Sequence, residues 1–379
     1  MLAAFGSLWG QFASLIMTLA MVFGSTFGIF APATTTSSSV YFDENVKNVI
    51  FLIGDGMGFN HLEKTKNERN INLVMDTFEI RGASMTRSFS NAVTDSAAGG
   101  SALSTGVRTI NGYIGVYPMD PTATFSYPKN ITELCLESGM MTGVITTDKT
   151  SGATPASFSA HSSNRDNTED ITNDQLTSDI DLIWGAQNGV ATKSDAENNS
   201  FTYITTTDEM MALKEGSRSF AQFTNDLWTI APSDSNTPTL KMMTEKAIDL
   251  LDDTDEGFFL MVEGAHIDKH SHSNDSEKMT EAVAGFDETI EYVLNYAKAD
   301  GETLVIVTAD HETGGITLNS DGTYSFTSGS HSAANVPVLV YGSDKFVTNG
   351  EVLNNYEIPI RIAYVLGFTE EEFPYEVAA

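Results

Sequence analysis

The sequence predicts an α/β fold, a three-layer sandwich in which a mostly parallel central sheet is covered by helices on both faces. Short uninterrupted apolar runs at 49–53, 142–147, 258–262 and 303–308 are typical of strands that are buried on both faces. Between the last two runs lies an amphipathic segment with apolar residues at helical spacing, which ends at Gly301. Because strand, helix and strand follow one another at these lengths, we expect parallel βαβ units.

Residues 40–379 are predicted to form one domain. The chain has 379 residues, of which 41% are hydrophobic, so its length allows either one large α/β domain or two ordinary ones. No internal repeat and no long linker follows Ser39, which favours one domain. The segment 192–236 is polar and irregular, and we expect it to be an excursion on the surface.

The charge balance of the chain limits its partners. Acidic residues number 51 against 20 basic residues, which gives a formal net charge of −31. A field of this sign repels nucleic acid and anionic membranes, so neither is expected as a partner. It also repels phosphorylated substrates, so a site for such an anion needs local positive charge from metal ions, an arginine or a helix N-terminus.

The N-terminal segment differs from the rest of the chain. No charged residue occurs from Phe12 to Ala33, and a run of Thr and Ser follows at 34–39. Residues 1–33 are therefore interpreted as a signal peptide, and residues 34–39 as a polar spacer. A retained membrane anchor is the alternative, since the apolar stretch is nearly long enough to span a bilayer. Both interpretations predict a domain outside the cytoplasm, in the periplasm or secreted from the cell.

Side chains that bind metals stand at the ends of four predicted strands. Because the carboxyl ends of parallel strands meet at one edge of the sheet, we expect these side chains to lie together. Each alone has an ordinary explanation, as a helix cap or a packed histidine, but their joint occurrence favours a metal site. Carboxylates and imidazoles without a thiolate suit Zn²⁺, and oxygen ligands suit a harder ion such as Mg²⁺. The residues are Asp55, Glu263, Asp268, His272, Asp310, His311 and His331.

A second pattern is the segment Val93–Ser101, in which Asp95 and Ser96 precede a run of small residues. It predicts the start of a helix whose N-terminus can be approached closely. A hydroxyl there lies at the positive end of the helix dipole, where phosphate also binds well. The alternative, a simple Ser or Asp N-cap, stays open on this segment alone.

Six segments together resemble the alkaline phosphatase family. The similarity runs from about Asn48 to Gly342 in the order expected for that family, which is more specific than any one motif. The segments are 53–58 (IGDGMG), 94–98 (TDSAA), 104–107 (STGV), 153–155 (ATP), 263–269 (EGAHIDK) and 308–315 (TADHETGG).

The resemblance implies an alkaline phosphatase-like fold and the hydrolysis of small-molecule phosphate monoesters through a phosphoserine intermediate. Ser96 would be the nucleophile, and Arg165 would bind two oxygens of the phosphate. Lys269 would touch phosphate directly or through water. A homodimer is also implied. The alternative activity is that of a phosphodiesterase or another hydrolase of the same superfamily.

The resemblance also implies two Zn²⁺ ions and one Mg²⁺ ion. One zinc ion would be held by Asp268, His272 and His331, and the second by Asp55, Asp310 and His311. The magnesium ion would be held by Asp55, Thr154 and Glu263.

One position departs from the family pattern. Many relatives carry Asp or His two residues before the threonine of the magnesium site, and here that residue is Gly152. The third metal site is therefore expected to be weaker or differently occupied. Without a carboxylate at this position, Lys269 is expected to have no acidic partner and to point its ammonium group toward the phosphate.

Overall fold

A ten-stranded sheet runs through the protein in the computed structural model, which describes residues 37–118, 125–223, 227, 236–252 and 254–374. The strands are β1 (Asn48–Gly54), β2 (Ile80–Met85), β3 (Tyr117–Pro118), β4 (Phe125–Ser126), β5 (Met141–Lys149), β6 (Leu182–Ala186), β7 (Thr202–Ile204), β8 (Ser219–Phe223), β9 (Phe258–Gly264), β10 (Thr303–Thr308), β11 (Glu312–Thr313), β12 (Thr317–Leu318), β13 (Tyr324–Ser325), β14 (His331–Ser332), β15 (Val336–Tyr341) and β16 (Val352–Asn354).

The order of strands in the large sheet is β16-β2-β15-β10-β1-β9-β5-β6-β8-β7. Every neighbouring pair is parallel except the two that involve β15, which runs antiparallel to β10 and to β2. The remaining short strands of the described residues form three two-stranded pairs, β3 with β4, β11 with β14 and β12 with β13. The prediction of a mostly parallel central sheet is confirmed.

Helices lie on both faces of the sheet. They are α1 (Phe59–Arg69), α2 (Ser96–Thr105), α3 (Ile131–Glu137), α4 (Ala153–Ser157), α5 (Thr168–Thr177), α6 (Lys193–Asn198), α7 (Thr207–Met211), α8 (Leu240–Leu251), α9 (His266–His272), α10 (Ser276–Asp300) and α11 (Glu357–Val365). Single turns of 3₁₀ helix lie at Ser38–Val40 and Val74–Thr77.

The side chains of strand β1 contribute to two apolar cores, one on each face of the sheet. Successive side chains of a strand point to opposite faces, so alternate residues of β1 enter different clusters. Ile50 and Leu52 pack in a core that includes residues of α1, α8 and α10. Phe51 packs in a second core that includes residues of α2, α3 and α11. Because both faces are covered, the strand is buried along its whole length, as its uninterrupted apolar run predicts.

The prediction of an irregular surface excursion at 192–236 is wrong in part. This segment contributes β7 and β8 to the sheet, and β8 is buried throughout. The polar residues of β8, Ser219 and Gln222, form hydrogen bonds with neighbours inside the protein. Ser219 Oγ accepts a hydrogen bond from Trp184 Nε1 at 2.9 Å, and Gln222 Nε2 donates to Thr150 Oγ1 at 2.8 Å. Buried polar side chains with such partners hide a strand from a hydrophobicity pattern.

The predicted signal peptide, residues 1–33, lies outside the described residues, as do residues 34–36 of the polar spacer at 34–39. Secretion therefore stays a prediction. Among the residues that the structure does describe, no helix combines the length and the apolar character that a membrane crossing requires. Residues 38–379 group into one unit in the structure.

We predict that Leu52→Ala destabilises the protein by about 2–5 kcal/mol, because Leu52 is fully buried and its loss leaves a cavity. The matched control is Leu318→Ala, since Leu318 is 61% exposed and the same atoms are removed there from the surface. The control should change the free energy of unfolding by no more than about 0.5 kcal/mol. Denaturant unfolding of both variants and the parent measures the difference. Equal effects of the two substitutions would contradict the assignment of β1 to the core.

Candidate active site

Three adjacent parallel strands bring acidic side chains to one edge of the sheet. Strand β1 lies between β9 and β10, with Ile53 in register with Glu263 and with Thr308. Asp55 follows β1, and Asp310 follows β10. The chain therefore places these carboxylates together at the carboxyl edge of the sheet, where ligands bind in folds of this class.

Asp268, His272 and His331 form the first group of possible metal ligands, and the ligand atoms that they offer lie within 4.8 Å of one another. Asp268 and His272 lie on α9, while His331 comes from β14. His272 Nε2 lies 3.3 Å from Asp268 Oδ2 and 3.1 Å from His331 Nε2. His331 Nε2 lies 3.7 Å from Asp268 Oδ1.

Backbone carbonyl groups fix the protonation of both imidazoles in this group. His272 Nδ1 lies 2.9 Å from the carbonyl oxygen of Gly329, and His331 Nδ1 lies 2.9 Å from that of Thr94. Since a carbonyl oxygen only accepts, each Nδ1 carries a proton and donates it. In the neutral rings the two Nε2 atoms, which face each other, then hold lone pairs. Two facing lone pairs repel unless a cation lies between them, which is the usual arrangement of histidines that bind metals.

Asp55, Asp310 and His311 form the second group, and all three residues are buried. His311 Nε2 lies 3.2 Å from Asp310 Oδ2 and 3.6 Å from Asp55 Oδ1. Neither of these two buried carboxylate oxygens accepts a hydrogen bond from the described part of the chain. Burial first, and then repulsion by Asp310 and Asp268, raises the pKa of Asp55 well above its ordinary value.

The side chain of Thr313 connects the two groups. Its hydroxyl donates to Asp268 Oδ1 at 2.5 Å and lies 3.2 Å from His311 Nδ1. Because its one proton goes to the carboxylate, the hydroxyl oxygen accepts from His311 Nδ1–H. The Nε2 atom of His311 therefore also holds a lone pair, directed toward the carboxylates of the second group. When the three rings are neutral, each carries its proton on Nδ1 and can bind a metal through Nε2.

Ser96 is the first residue of α2 and lies beside the second group, with its Oγ 3.1 Å from His311 Nε2. Asp95 is the N-cap of this helix, and its Oδ1 accepts a hydrogen bond from the Ala98 amide at 3.0 Å. Asp95 therefore caps the helix, which leaves the side chain of the neighbouring Ser96, the predicted nucleophile, free of that role. Ser96 is 5% exposed and lies at the positive end of the helix dipole.

The small residues after Ser96 allow α2 to approach the site closely. A Cβ atom at Gly99 would lie 3.0 Å from the carbonyl oxygen of Asp310, and a Cβ atom at Gly100 would lie 2.9 Å from Ser157 Oγ. Larger side chains here would push the N-terminus of α2 away from the ligand groups.

Arg165 is held next to Ser96 by Asp95. Arg165 Nη1 lies 3.1 Å from Asp95 Oδ2, which also accepts a hydrogen bond from the Gly112 amide at 2.9 Å. The side chain of Arg165 remains 35% exposed, so its guanidinium group can still meet an anion that enters from solvent. This is the positive charge that the overall acidic field makes necessary.

Glu263 and Thr154, both assigned to a magnesium site by the resemblance, are 1% exposed. Glu263 Oε2 accepts a hydrogen bond from Thr146 Oγ1, and the charge of Glu263 is close enough to raise the pKa of Asp55. The hydroxyl oxygen of Thr154 has no hydrogen-bond partner within the described ranges. A buried hydroxyl without a partner is costly, and an ion or its bound water would satisfy it.

The expectation that Lys269 lacks an acidic partner is wrong. Its Nζ forms an ion pair with Asp148 Oδ1. Burial lowers the pKa of Lys269, but the charges of Asp148 and Glu263 outweigh this effect and raise it overall. The ammonium group is therefore protonated and bound to a carboxylate that lies four residues before Gly152.

Three residues that matter for the site were missed in the sequence, namely Asp95 as the partner of Arg165, Thr313 and Asp148. Asp148 lies at the carboxyl end of β5, so the rule that selected Asp55 and Asp310 would also have selected it. Thr313 carries no signal of its own beyond its position two residues after His311.

The other histidines lie around the site and not within the two ligand groups. His61 Nδ1 accepts from the Gly58 amide at 3.1 Å, and its Nε2 lies 3.0 Å from Ser271 Oγ. Burial lowers the pKa of His61 to about 3, so the ring is neutral and supports α9, the helix that carries Asp268. His161 contacts Gly115 and Glu133, and burial lowers the pKa of His266 to about 3.

The donor atoms at this edge fit metal ions. Each of the two groups offers carboxylate oxygens and imidazole nitrogens with lone pairs, a set that suits Zn²⁺. The third set of oxygen ligands, formed by Asp55, Thr154 and Glu263, has only carboxylate and hydroxyl oxygens, which suit Mg²⁺.

Comparison with known proteins gives one consistent result. A family model described as alkaline phosphatase matches residues 46–183 and 185–342. Alkaline phosphatase 4 of Bacillus subtilis is 33% identical over 342 residues, which are 83% of this chain and 73% of that protein. The repressible alkaline phosphatase of Saccharomyces cerevisiae is 32% identical over 74% of this chain, which spans 57% of the yeast protein.

Solved structures agree with the sequence relatives. The alkaline phosphatase of the Antarctic bacterium TAB5 matches with a TM-score of 0.72 and 32% identity, over 86% of this chain and 99% of that one. A mutant of the same enzyme, in which a histidine is replaced by glutamate, is described with magnesium in its M3 site. The alkaline phosphatase of Thermus thermophilus has a TM-score of 0.76 at 19% identity, which supports the fold alone.

The acidic cluster predicts a pH dependence for the metal-free protein. Burial, together with the charge of Asp148, raises the pKa of Glu263 from 4.5 to about 8. Between these pH values the folded chain holds a proton on Glu263 that the unfolded chain has lost, so the free energy of unfolding should fall as the pH rises through this window. The glutamine variant E263Q should show a shallower fall. Chemical denaturation of both metal-free proteins at several pH values measures the two slopes, and identical slopes would show that Glu263 does not titrate there.

Proposed function

The chain belongs to the alkaline phosphatase family, whose members hydrolyse phosphate monoesters with the help of metal ions, and we propose that it does so through a phosphoserine at Ser96. One observation carries this proposal. Ser96 Oγ lies at a helix N-terminus, 3.1 Å from His311 Nε2, between a buried group of metal ligands and an arginine that is held in place. A nucleophile, metal ligands and a cation for the phosphate therefore meet in one place.

We propose that Asp268, His272 and His331 hold one zinc ion and that Asp55, Asp310 and His311 hold a second. A magnesium ion would lie with Asp55, Thr154 and Glu263. When bound, the two zinc ions would supply a lowered pKa for the serine hydroxyl and stabilisation of negative charge on the entering and leaving oxygens. The free lone pairs and unpartnered oxygens described above support these assignments.

The residues of the chain account for the rest of the reaction. Arg165 binds two oxygens of the phosphate, and Asp95 fixes the direction of its guanidinium group. The Ser96 Oγ–P bond forms as the bond from phosphorus to the alcohol oxygen breaks, and the alcohol leaves with a proton. Water then attacks phosphorus, which releases inorganic phosphate and restores the serine hydroxyl. The helix N-terminus stabilises the anion in both steps.

The substrate class is proposed to be small-molecule phosphate monoesters. Arg165, the metal ions and the N-terminus of α2 would all contact the phosphate group, so the alcohol part of the substrate is little constrained. Hydrolysis of a chromogenic phosphate monoester, compared with a phosphate diester and a sulfate ester of the same alcohol, tests this class. Faster hydrolysis of the diester would favour the alternative of a phosphodiesterase. A homodimer stays a prediction from the family resemblance.

We predict that Ser96→Ala lowers kcat by several orders of magnitude while phosphate affinity changes little, because only the covalent route is lost. The matched control is Ser104→Ala, which removes a hydroxyl from the other end of α2 where it bonds to the Ser101 carbonyl at 3.3 Å. Steady-state kinetics and the mass of acid-quenched protein should show a phosphorylated form in the parent and in the control only. Near-normal turnover by the Ser96 variant would place the nucleophile elsewhere.

Removal of metal ions should abolish activity and lower the melting temperature. The buried carboxylates of Asp55, Asp310 and Asp268 would then repel one another without compensation. Dialysis against a chelator, followed by addition of zinc with magnesium, should restore both activity and melting temperature. The idea of two zinc ions fails if a preparation shown by elemental analysis to be metal-free keeps full activity.

A further inference from the structure

A side chain at Gly152 would meet the carboxylate of Asp148. A Cβ atom at this position would lie 2.6 Å from Asp148 Oδ2 and 3.0 Å from the carbonyl oxygen of Lys149. The backbone of Gly152 has φ −56° and ψ 152°, a conformation that other residues adopt without strain. The backbone conformation therefore does not require glycine here, and a side chain at this position would need the carboxylate of Asp148 to move.

Asp148 is linked through the side chain of Thr146 to Glu263, one of the proposed magnesium ligands. Its backbone amide donates to Thr146 Oγ1 at 2.8 Å, and the same hydroxyl donates to Glu263 Oε2. Asp148 Oδ1 pairs with Lys269, which leaves Oδ2 on the side of Gly152.

We infer that Asp148 supplies to the third metal site the carboxylate that position 152 lacks. This inference rests on the proposed function, because it assigns a further residue to the proposed magnesium site. A second observation points to a ligand at the same place, since the hydroxyl of Thr154 is buried and lacks a partner in the described structure. The ligands would then be oxygen atoms only, which is the set that Mg²⁺ prefers, and Mg²⁺ commonly keeps several bound waters that a nearby carboxylate can orient.

A simpler explanation is that Asp148 serves only to neutralise Lys269. The two explanations differ in what happens when the lysine is removed. If Asp148 acts only by neutralising Lys269, its replacement weakens magnesium binding only while the lysine is present, so the double variant D148N/K269M should bind magnesium like Lys269→Met alone. If Asp148 acts on the metal site, loss of its carboxylate weakens magnesium binding with or without the lysine, so the double variant should bind magnesium more weakly than Lys269→Met alone.

The test is magnesium binding to the zinc-loaded protein, measured by titration calorimetry and by the rise in melting temperature on addition of Mg²⁺. We expect Asp148→Asn, which keeps the shape of the side chain, to weaken magnesium binding about 10–100-fold, as is typical for a residue that supports metal ligands. The variant Lys269→Met should bind magnesium at least as tightly as the parent. A surface control, Asp179→Asn, removes a charge from the residues just before β6, at the opposite edge of the sheet, and should have no effect.

Parent-like magnesium affinity in the Asp148→Asn protein would overturn the inference, and so would a double variant D148N/K269M that binds magnesium as tightly as Lys269→Met alone. Zinc content and melting temperature, measured before magnesium is added, show whether each variant is folded and loaded. The amide group of Asn could form new hydrogen bonds and so disturb the one from the backbone amide of residue 148 to Thr146. Asp148→Ser therefore provides a second neutral variant, for which the same loss of magnesium affinity is expected. If the parent itself neither binds magnesium nor hydrolyses a phosphate monoester, the proposed function fails, whereas a failure of this inference alone leaves both intact.

Discussion

Four carboxylates, those of Asp55, Glu263, Asp268 and Asp310, lie almost fully buried at one edge of the sheet, and their mutual repulsion is the constraint around which this part of the chain is built. Burial of even one unpaired charge is costly, and several together are far more so. Backbone amides and hydroxyls offset part of this cost, since Asp310 Oδ1 accepts from the amides of Gly56 and His311. The oxygens that remain without partners identify where cations are needed, so the free energy of folding and the ability to bind metal ions depend on the same atoms.

The surroundings of these carboxylates determine what each ligand can do. Backbone carbonyls and the Thr313 hydroxyl accept hydrogen bonds from the Nδ1 atoms of the three histidines, so each ring, when neutral, directs its Nε2 lone pair inward. The Thr313 hydroxyl donates a hydrogen bond to Asp268, so this single side chain connects one ligand group to the other. Such outer contacts set both the tautomer and the direction of a metal ligand, and their loss weakens a site without removing any ligand from it.

The sequence predicted the sheet and most of the site because both depend on local signals. Uninterrupted apolar runs located β1, β5, β9 and β10, and the polar residues directly after such runs include Asp55 and Asp310. These local signals failed where a polar residue is buried or positioned by a partner that is distant in the sequence. Strand β8 was missed because Ser219 and Gln222 are satisfied by distant side chains, which no local pattern reveals. The pairing of Asp95 with Arg165 joins residues 70 positions apart, and only the folded chain brings them together.

Position 152 shows why a residue-by-residue comparison can mislead about chemistry. Glycine there suggests a missing ligand, yet the space beside it is filled by a carboxylate from four residues earlier. A metal site requires a charge of given sign at a given place, and the chain can supply it from any residue whose side chain reaches that place. The same reasoning applies to Lys269, whose orientation follows from the position of Asp148 and not from the identity of residue 152. The chain has a net charge of −31, so the ammonium group of Lys269 lies in an acidic field as well as against the carboxylate of Asp148, and both hold it in place. The electrostatics of this site therefore have to be judged from the arrangement of its charges in space.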